Sequence, residues 1–454
     1  MFSTQPFELL LKLPLIIVFY GVLQMSFFKD LSEQRKGLWI FIPLLGLYVF
    51  SYFQRSAVPG QLFDQFSKEG FSAEQIATIS ASFILVYSLS QLVVGMMADK
   101  FSGVRVVLVG GLLLGIGSVF MPLCKSLAMI NLCRVIMGLG GSTMYLCLVK
   151  ETDRLFGRKN FSVFLGIIYC VGYAGGLFGT LPFVWLCSVF YWRNILLVIG
   201  GLSLIAYFFF ISVIAVRREP FPPVSRMSFT FKPLFAIARN PYSWLMLFCS
   251  SVNFGMYYTI QSFCGKKFLE DCGNFSSEAA AAVIMFLTLT CMFTIMSVGI
   301  VIRLIGNRRR PMMMVASGIN LFTSILMFMT LYFGLPPWLY VPGYLLYACS
   351  SGFAMAYTMT GQEMNSRDLM TTATGFNNMG NYLFVALGSW GIGKLLDTFV
   401  SGSRIAGQAV VYPKVAYVTV FAVMLGISVI SFCLMFLSPE TKGHYLHLKN
   451  KFLE

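Results

Sequence analysis

Ionisable groups are what this 454-residue sequence has least of. Asp, Glu, Lys and Arg together make up 11% of it, and its only two histidines, His444 and His447, stand near the C-terminus. That is far below the charge a soluble globular surface carries. No glycine-rich phosphate loop occurs, so an ATP-driven pump has no support. The 11 cysteines show no metal-ligand spacing. Most stand inside apolar stretches, where cysteine behaves as a small hydrophobe. No catalytic triad pattern is present either, so no enzymatic role, metal or cofactor is expected. The alternating ten-residue segments of a membrane β-barrel are also missing.

What is present is length and apolarity. The sequence is 57% hydrophobic with a mean hydropathy of +0.77. Stretches of about 20 apolar residues cross a bilayer as helix. Twelve are expected, near 38–59, 75–98, 104–124, 127–149, 161–186 and 193–216 (spans 1–6), then 241–263, 278–302, 311–333, 338–361, 371–396 and 414–437 (spans 7–12). This is an all-α integral membrane protein. Five parts follow: a hydrophobic or interfacial segment 1–37, a six-helix bundle 38–216, a linker 217–240, a second bundle 241–437, and a tail 438–454. The linker carries Arg217, Arg218, Arg226 and Lys232 among its prolines. The apolar stretch 9–28 contains Pro14 and Lys12; it reads as a thirteenth span, an interfacial helix, or translation from an upstream start. It has no small-residue cleavage site, so a removed signal peptide is not expected.

Lys and Arg set the orientation. If the turn at 95–105 faces the cytoplasm, the segments on its side hold 22 of the 33 cations and the opposite side holds 7. That asymmetry places the linker and C-terminus inside. The net charge of +15 then reflects topology and gives no reason to expect a nucleic-acid partner.

The turn itself carries a pattern: Gly95, Asp99, Lys100, Gly103 and Arg105. It recurs 204 residues later (95 to 299) as Gly299, Arg303, Gly306 and Arg308, with Arg303 where the acid would be. Two related halves are implied. The first copy resembles the signature between the second and third helices of the major facilitator superfamily of transporters. Further matches are Arg134–Gly141 in span 4, Trp192-Arg193 before span 6, the basic turn 153–159 and Pro439-Glu440-Thr441-Lys442-Gly443 after span 12. Thr374–Asn381 in span 11 is similar to bacterial anion and organophosphate carriers. The resemblance implies two six-helix bundles that rock about a central site. It also implies gating roles for Gly95, Asp99, Lys100, Gly103, Arg105, Arg134, Gly299, Arg303, Gly306 and Arg308.

Charge inside the membrane is costly and marks function. The interior inventory is basic: Arg55 in span 1, Arg134 in span 4 and Lys394 in span 11. All 18 acids fall in turns, tails or span ends, Glu74, Glu151, Glu278 and Glu363 lying nearest. Uncompensated cations favour an anionic solute, and a guanidinium suits carboxylate or phosphate. Each cation also has a bland reading: Arg134 could bond backbone, Arg55 could snorkel outward, and Lys394 could pair with Asp397 on its own helix face. The resemblance to organophosphate carriers implies a second Arg in span 7; that span has none, Lys266 and Lys267 lying just beyond it. Polar groups that could face a cavity are Tyr87, Gln91, Tyr169, Tyr173, Asn253, Tyr257, Tyr258, Gln261, Tyr357, Asn377, Asn378 and Asn381. Cys264 and Cys272 share one outer turn and could form a disulfide.

The expectation is a monomeric secondary transporter, symporter or antiporter, of the bacterial inner membrane, moving a small polar, anionic organic solute by alternating access. Its partners are that solute, the bilayer and, for a coupled cycle, an ion. The alternatives are proton-coupled uptake of an amino acid or nucleoside through Glu363 or Glu151, and a non-transporting sensor on the same fold.

Overall fold

The structure, a computed structural model, describes residues 35–217, 231–366, 369–400, 404–406 and 409–445. The stretch 9–28, linker residues 218–230, Arg367 and the tail from 446 lie outside it. So do the side chains of Asp99 and of residues 157–163.

The described chain is almost wholly helical. Span 1 is Arg35–Ala57, span 2 Ala73–Phe101, span 3 Gly103–Phe120 and span 6 Trp192–Arg217. Helix is continuous over Leu127–Phe178, where two spans and a polar turn are expected. The two spans are nonetheless there. The Tyr145 and Tyr169 hydroxyls meet at 2.7 Å, whereas 24 residues of straight helix would part them by about 36 Å. The chain therefore reverses between Phe156 and Phe164, whose rings stack at 3.6 Å.

In the second half, span 8 is Ser277–Leu304, span 9 Arg310–Phe333, span 11 Met370–Thr398 and span 12 Lys414–Met435. Span 7 is Pro241–Thr259 with a π-helical turn at Ile260–Cys264. Its helix then continues past the expected end of the span as an outer extension, Gly265–Gly273. Span 10 breaks at Ala354 into Tyr340–Phe353 and Met355–Glu363. A short hairpin, Arg404–Ala406 with Ala409–Val411, joins spans 11 and 12.

Nine helical segments among the described residues are long and apolar enough to cross a membrane, and spans 7, 10 and 11 are not among them. The reason is local. Span 10 is split, and all three carry hydroxyls, span 11 amides as well, that face the interior cavity described below.

Span 4 is the hub of the first six, packing on spans 1, 2 and 3, while span 6 packs on span 3. In the last six, span 8 lies on span 10, and span 9 on spans 10 and 12. The two sets meet chiefly where span 2 runs along span 11, with span 5 against span 8.

Candidate functional site

Tyr48, Tyr52 and Arg55 are spaced i, i+4, i+7, so they share one face of span 1. That face points inward. Arg55 is 3% exposed; it does not reach the outer surface. Its Nη1 donates to the Tyr87 hydroxyl of span 2 and to the Tyr382 hydroxyl of span 11, each at 2.9 Å. The guanidinium carbon lies 4.2 Å from the Tyr52 ring centre and 5.1 Å from those of Tyr87 and Tyr382. Rings at that distance hold a desolvated cation through their negative faces. Arg55 Nε is buried and has no hydrogen-bond partner.

Below this cage lies a cavity of about 130 Å³. Its first-half wall is Tyr48, Tyr52, Arg55, Tyr87, Tyr145, Tyr169 and Tyr173; its second-half wall includes Ser250, Phe254, Ser351, Thr358, Thr374, Asn378, Asn381 and Tyr382. Gly172 and Gly176 of span 5 make room for it, since a Cβ at either would collide with the Tyr48 or Tyr52 ring. Among the described residues, no acid, histidine or second cation lines the cavity.

Of the sequence candidates, Arg55, Tyr87, Tyr169, Tyr173, Asn378 and Asn381 are brought together there. The others sit elsewhere. Asn253 accepts from Ser350 at 2.6 Å and donates to the Cys249 carbonyl at 2.7 Å, a packing knot. Tyr357 meets Ser317 at 2.6 Å. Gln261 donates to Thr288 at 2.7 Å. Asn377 donates to Ser250 and Thr358, behind the wall. Tyr257 and Gln91 are buried away from the cavity. Tyr258 stacks on Phe254 and belongs to the cage, its ring centre 5.7 Å from the Arg55 guanidinium carbon, but it does not line the cavity. Tyr48, Tyr52, Tyr145 and Tyr382 line the cavity and are absent from the sequence candidates. Helical spacing carries the signal for three of them: Tyr48 and Tyr52 precede Arg55 on its face, and Tyr382 follows Asn378 by one turn.

Arg134 is the second interior cation. It is fully buried and donates to three carbonyls: Gln54 at 2.9 Å, Val58 at 2.8 Å and Ile79 at 3.0 Å. It ties the end of span 1 to spans 2 and 4. Lys394, by contrast, is exposed over the Trp390 ring, and its expected pairing with Asp397 does not form. Asp397 instead caps the start of span 2, accepting from Ser72 Oγ at 2.6 Å and from the backbone N–H of Ala73 and Glu74. A helix N-terminus with free N–H groups attracts a carboxylate strongly enough to outcompete a solvated lysine.

That cap is part of an outer seal between the halves. Lys267 lies 2.8 Å from Asp64 and 2.9 Å from Asp271, and Lys266 lies 2.7 Å from Glu270. Both lysines are only 2% exposed, so the outer extension of span 7 carries them into the interface. Gly60 lies against the Ser262 carbonyl, and Gly393 against Ala73 and Ala77, with no space for a Cβ. Burial raises the Asp271 carboxyl to about 6, against the pull of Lys267 and of hydrogen bonds from Tyr417 and Tyr412. Cys264 and Cys272 are free thiols.

The inner ends differ. Gly95 and Gly299, two of the expected gating residues, have open space where a Cβ would stand. Gly103 is the tight one, lying under the Glu151 carboxylate. Glu151 accepts from the Val104 N–H at 3.2 Å and pairs with Arg154 at 2.5 Å. In the second half Glu363 pairs with Arg309 at 2.8 Å and accepts from Thr441. Each half thus buries one glutamate at the inner end of span 4 or 10. Lys100 lies over Phe101 and Arg105 donates to the Phe101 carbonyl at the end of span 2, while Arg303, Gly306 and Arg308 are exposed. Among the described residues, hydrogen bonds between the halves lie at mid-depth and at the outer end. The cavity is closed at the end opposite the turns at 95–105 and 299–308.

A sequence model described as the Major Facilitator Superfamily matches residues 37–389. Solved structures share the fold. The nucleoside transporter NupG is similar with a TM-score of 0.67 and 18% identity, over 88% of this chain and 98% of that one. A bacterial homologue of the human lysosomal transporter Spinster, inward-facing and unoccupied, gives 0.69 and 17%, over 89% and 97%. A POT family transporter in complex with 5-aminolevulinic acid gives 0.68 and 12%, over 89% and 96%. No curated protein matches the sequence.

Proposed function

The chain belongs to the major facilitator superfamily, and we propose that it is a secondary transporter of a small, polar, anionic organic solute, with Arg55 at the binding site. The observation that carries this reading is the buried Arg55 guanidinium, which keeps an unpartnered Nε and stands beside a cavity lined by no described acid. A desolvated cation of that kind is stabilised when an anion binds, and an anion loses its hydration cost most readily there. Residues 38–216 and 241–437 form the two moving halves, joined by the linker 217–240, in the inner membrane of a bacterium with the C-terminus in the cytoplasm. The sealed outer end and the vacant inner glycines Gly95 and Gly299 fit the inward-facing arm of an alternating-access cycle. In the outward-facing arm the turns at 95–105 and 299–308 close.

The proton-coupled alternative needs an acid that reaches the solute. Glu151 and Glu363 are both engaged at the inner ends, and neither lines the cavity. The fold shared with NupG keeps a nucleoside among the solutes to be tried.

Thermal melting of the detergent-purified protein tests the reading, because a solute that binds the folded form raises the melting temperature with dose. Anionic solutes raise it in wild type and not in Arg55→Gln. A neutral or zwitterionic solute that acts equally on both proteins would overturn the proposal. Uptake of the hit into proteoliposomes then separates carrier from sensor.

A further inference from the structure

Resting on the reading of the Arg55 cavity as the solute site, we infer that the solute carries one carboxylate and no second charge, held by the Arg55 guanidinium. A guanidinium offers a carboxylate two parallel N–H donors along one edge. The two protons of Nη1 are directed at the Tyr87 and Tyr382 hydroxyls, which closes the edge shared by Nη1 and Nη2. Nε is buried and keeps a donor without a partner, which a carboxylate oxygen would satisfy. The tyrosines come from opposite halves, so they also fix the plane of the guanidinium before the solute arrives.

The charge count sets the rest. Among the described residues, the cavity wall holds one cation and no acid. One negative charge neutralises it; a second would be left buried and unpaired, which is strongly unfavourable. The other buried cations described here are occupied. Arg134 donates to three carbonyls, and Lys266 and Lys267 are paired in the outer seal. An ammonium group would meet Arg55 with no carboxylate of the wall to offset the repulsion, so a zwitterionic amino acid is disfavoured. Across the cavity, Ser351, Thr358, Asn378 and Asn381 provide donors and acceptors for hydroxyl or carbonyl groups on the body of the solute, and the tyrosine faces suit a flat one.

The test compares charge at constant shape, on the full chain in detergent at neutral pH. The probes are 4-hydroxybenzoate and lactate as monocarboxylates, and 4-hydroxybenzamide and lactamide as their uncharged isosteres. Succinate and glycerol phosphate serve as dianions, and alanine as a zwitterion. The expected result is a saturable rise in melting temperature with at least one monocarboxylate, at least tenfold weaker for its amide. The same ligand is weakened tenfold or more in Arg55→Lys, which keeps the charge and loses the paired donors. The amide comparison needs no variant, so it stands even if Arg55→Lys folds poorly. A dianion that binds more tightly than either monocarboxylate, and loses its effect in Arg55→Gln, would overturn the single-charge inference and leave the anion site standing. A shift indifferent to Arg55→Gln would overturn both. No response to either monocarboxylate would sink this inference.

Discussion

Arg55 and Arg134 are both buried, both flanked by aromatic rings and both without a described acid beside them, yet they do opposite things. Arg134 donates to three backbone carbonyls, and two of these, Gln54 and Val58, flank Arg55 on span 1. Arg55 has two hydroxyl partners, a buried Nε without a partner, and a cavity beside it. A buried cation each of whose nitrogens has a carbonyl partner is structural. One whose donors are partly open is poised for a ligand. The first also positions the second, because it pins the turn of helix that carries it.

The widest separation between the two should come from removing each charge. Arg134→Gln strands up to three buried carbonyls, at about 1–3 kcal/mol each. A loss of about 3 kcal/mol or more is expected, read as a lower melting temperature without solute. If Arg134→Gln melts like wild type, the contrast is broken. Arg55→Gln should leave melting nearly unchanged and instead cost about 2 kcal/mol or more in solute binding, roughly thirtyfold in affinity. Arg134→Lys sharpens the positioning argument. It retains the charge but reaches fewer carbonyls, so about 1 kcal/mol of stability should go per lost bond, with only a severalfold loss of solute affinity.

The smallest effect is one of pH, and it belongs to the outer seal. Neither arginine faces a described acid, so neither should respond near neutral pH. Asp271 should. Its carboxyl sits at about 6 in the sealed state, chiefly through burial, against an ordinary 3.8. The sealed state therefore holds the proton more tightly than an open one. The resulting stabilisation is full below the ordinary value and is lost as pH rises through about 6. As pH falls from about 7 to about 6, the sealed population should gain about twofold, measured as the distance between spin labels on the outer turns. Asp271→Asn should flatten the response.

Much of this molecule is legible in its sequence. Apolar runs mark the spans, and the recurring glycine pattern points to two halves, because a bilayer imposes helix length and hydropathy directly. The polar residues between spans 4 and 5 mark a turn as well, and although helix runs through it without a break, the chain reverses there. The Lys394–Asp397 pairing fails because a helix start distant in sequence, that of span 2, is available to Asp397. The Cys264–Cys272 disulfide rests on a shared turn alone, and both thiols are free.

The site divides differently. Sequence alone determined that two arginines stand in apolar helices without an acid nearby, and hence that positive charge lies within the membrane. The i, i+4, i+7 spacing of Tyr48, Tyr52 and Arg55 also implies one shared helical face, a signal that the sequence candidates leave unused. Only the tertiary structure decided that Arg134 meets carbonyls of spans 1 and 2 while Arg55 meets Tyr87 and Tyr382 from opposite halves. A side chain's own helix fixes its direction, but its partners are supplied by other helices. Whether a buried donor is satisfied or left open is therefore settled only when the spans pack.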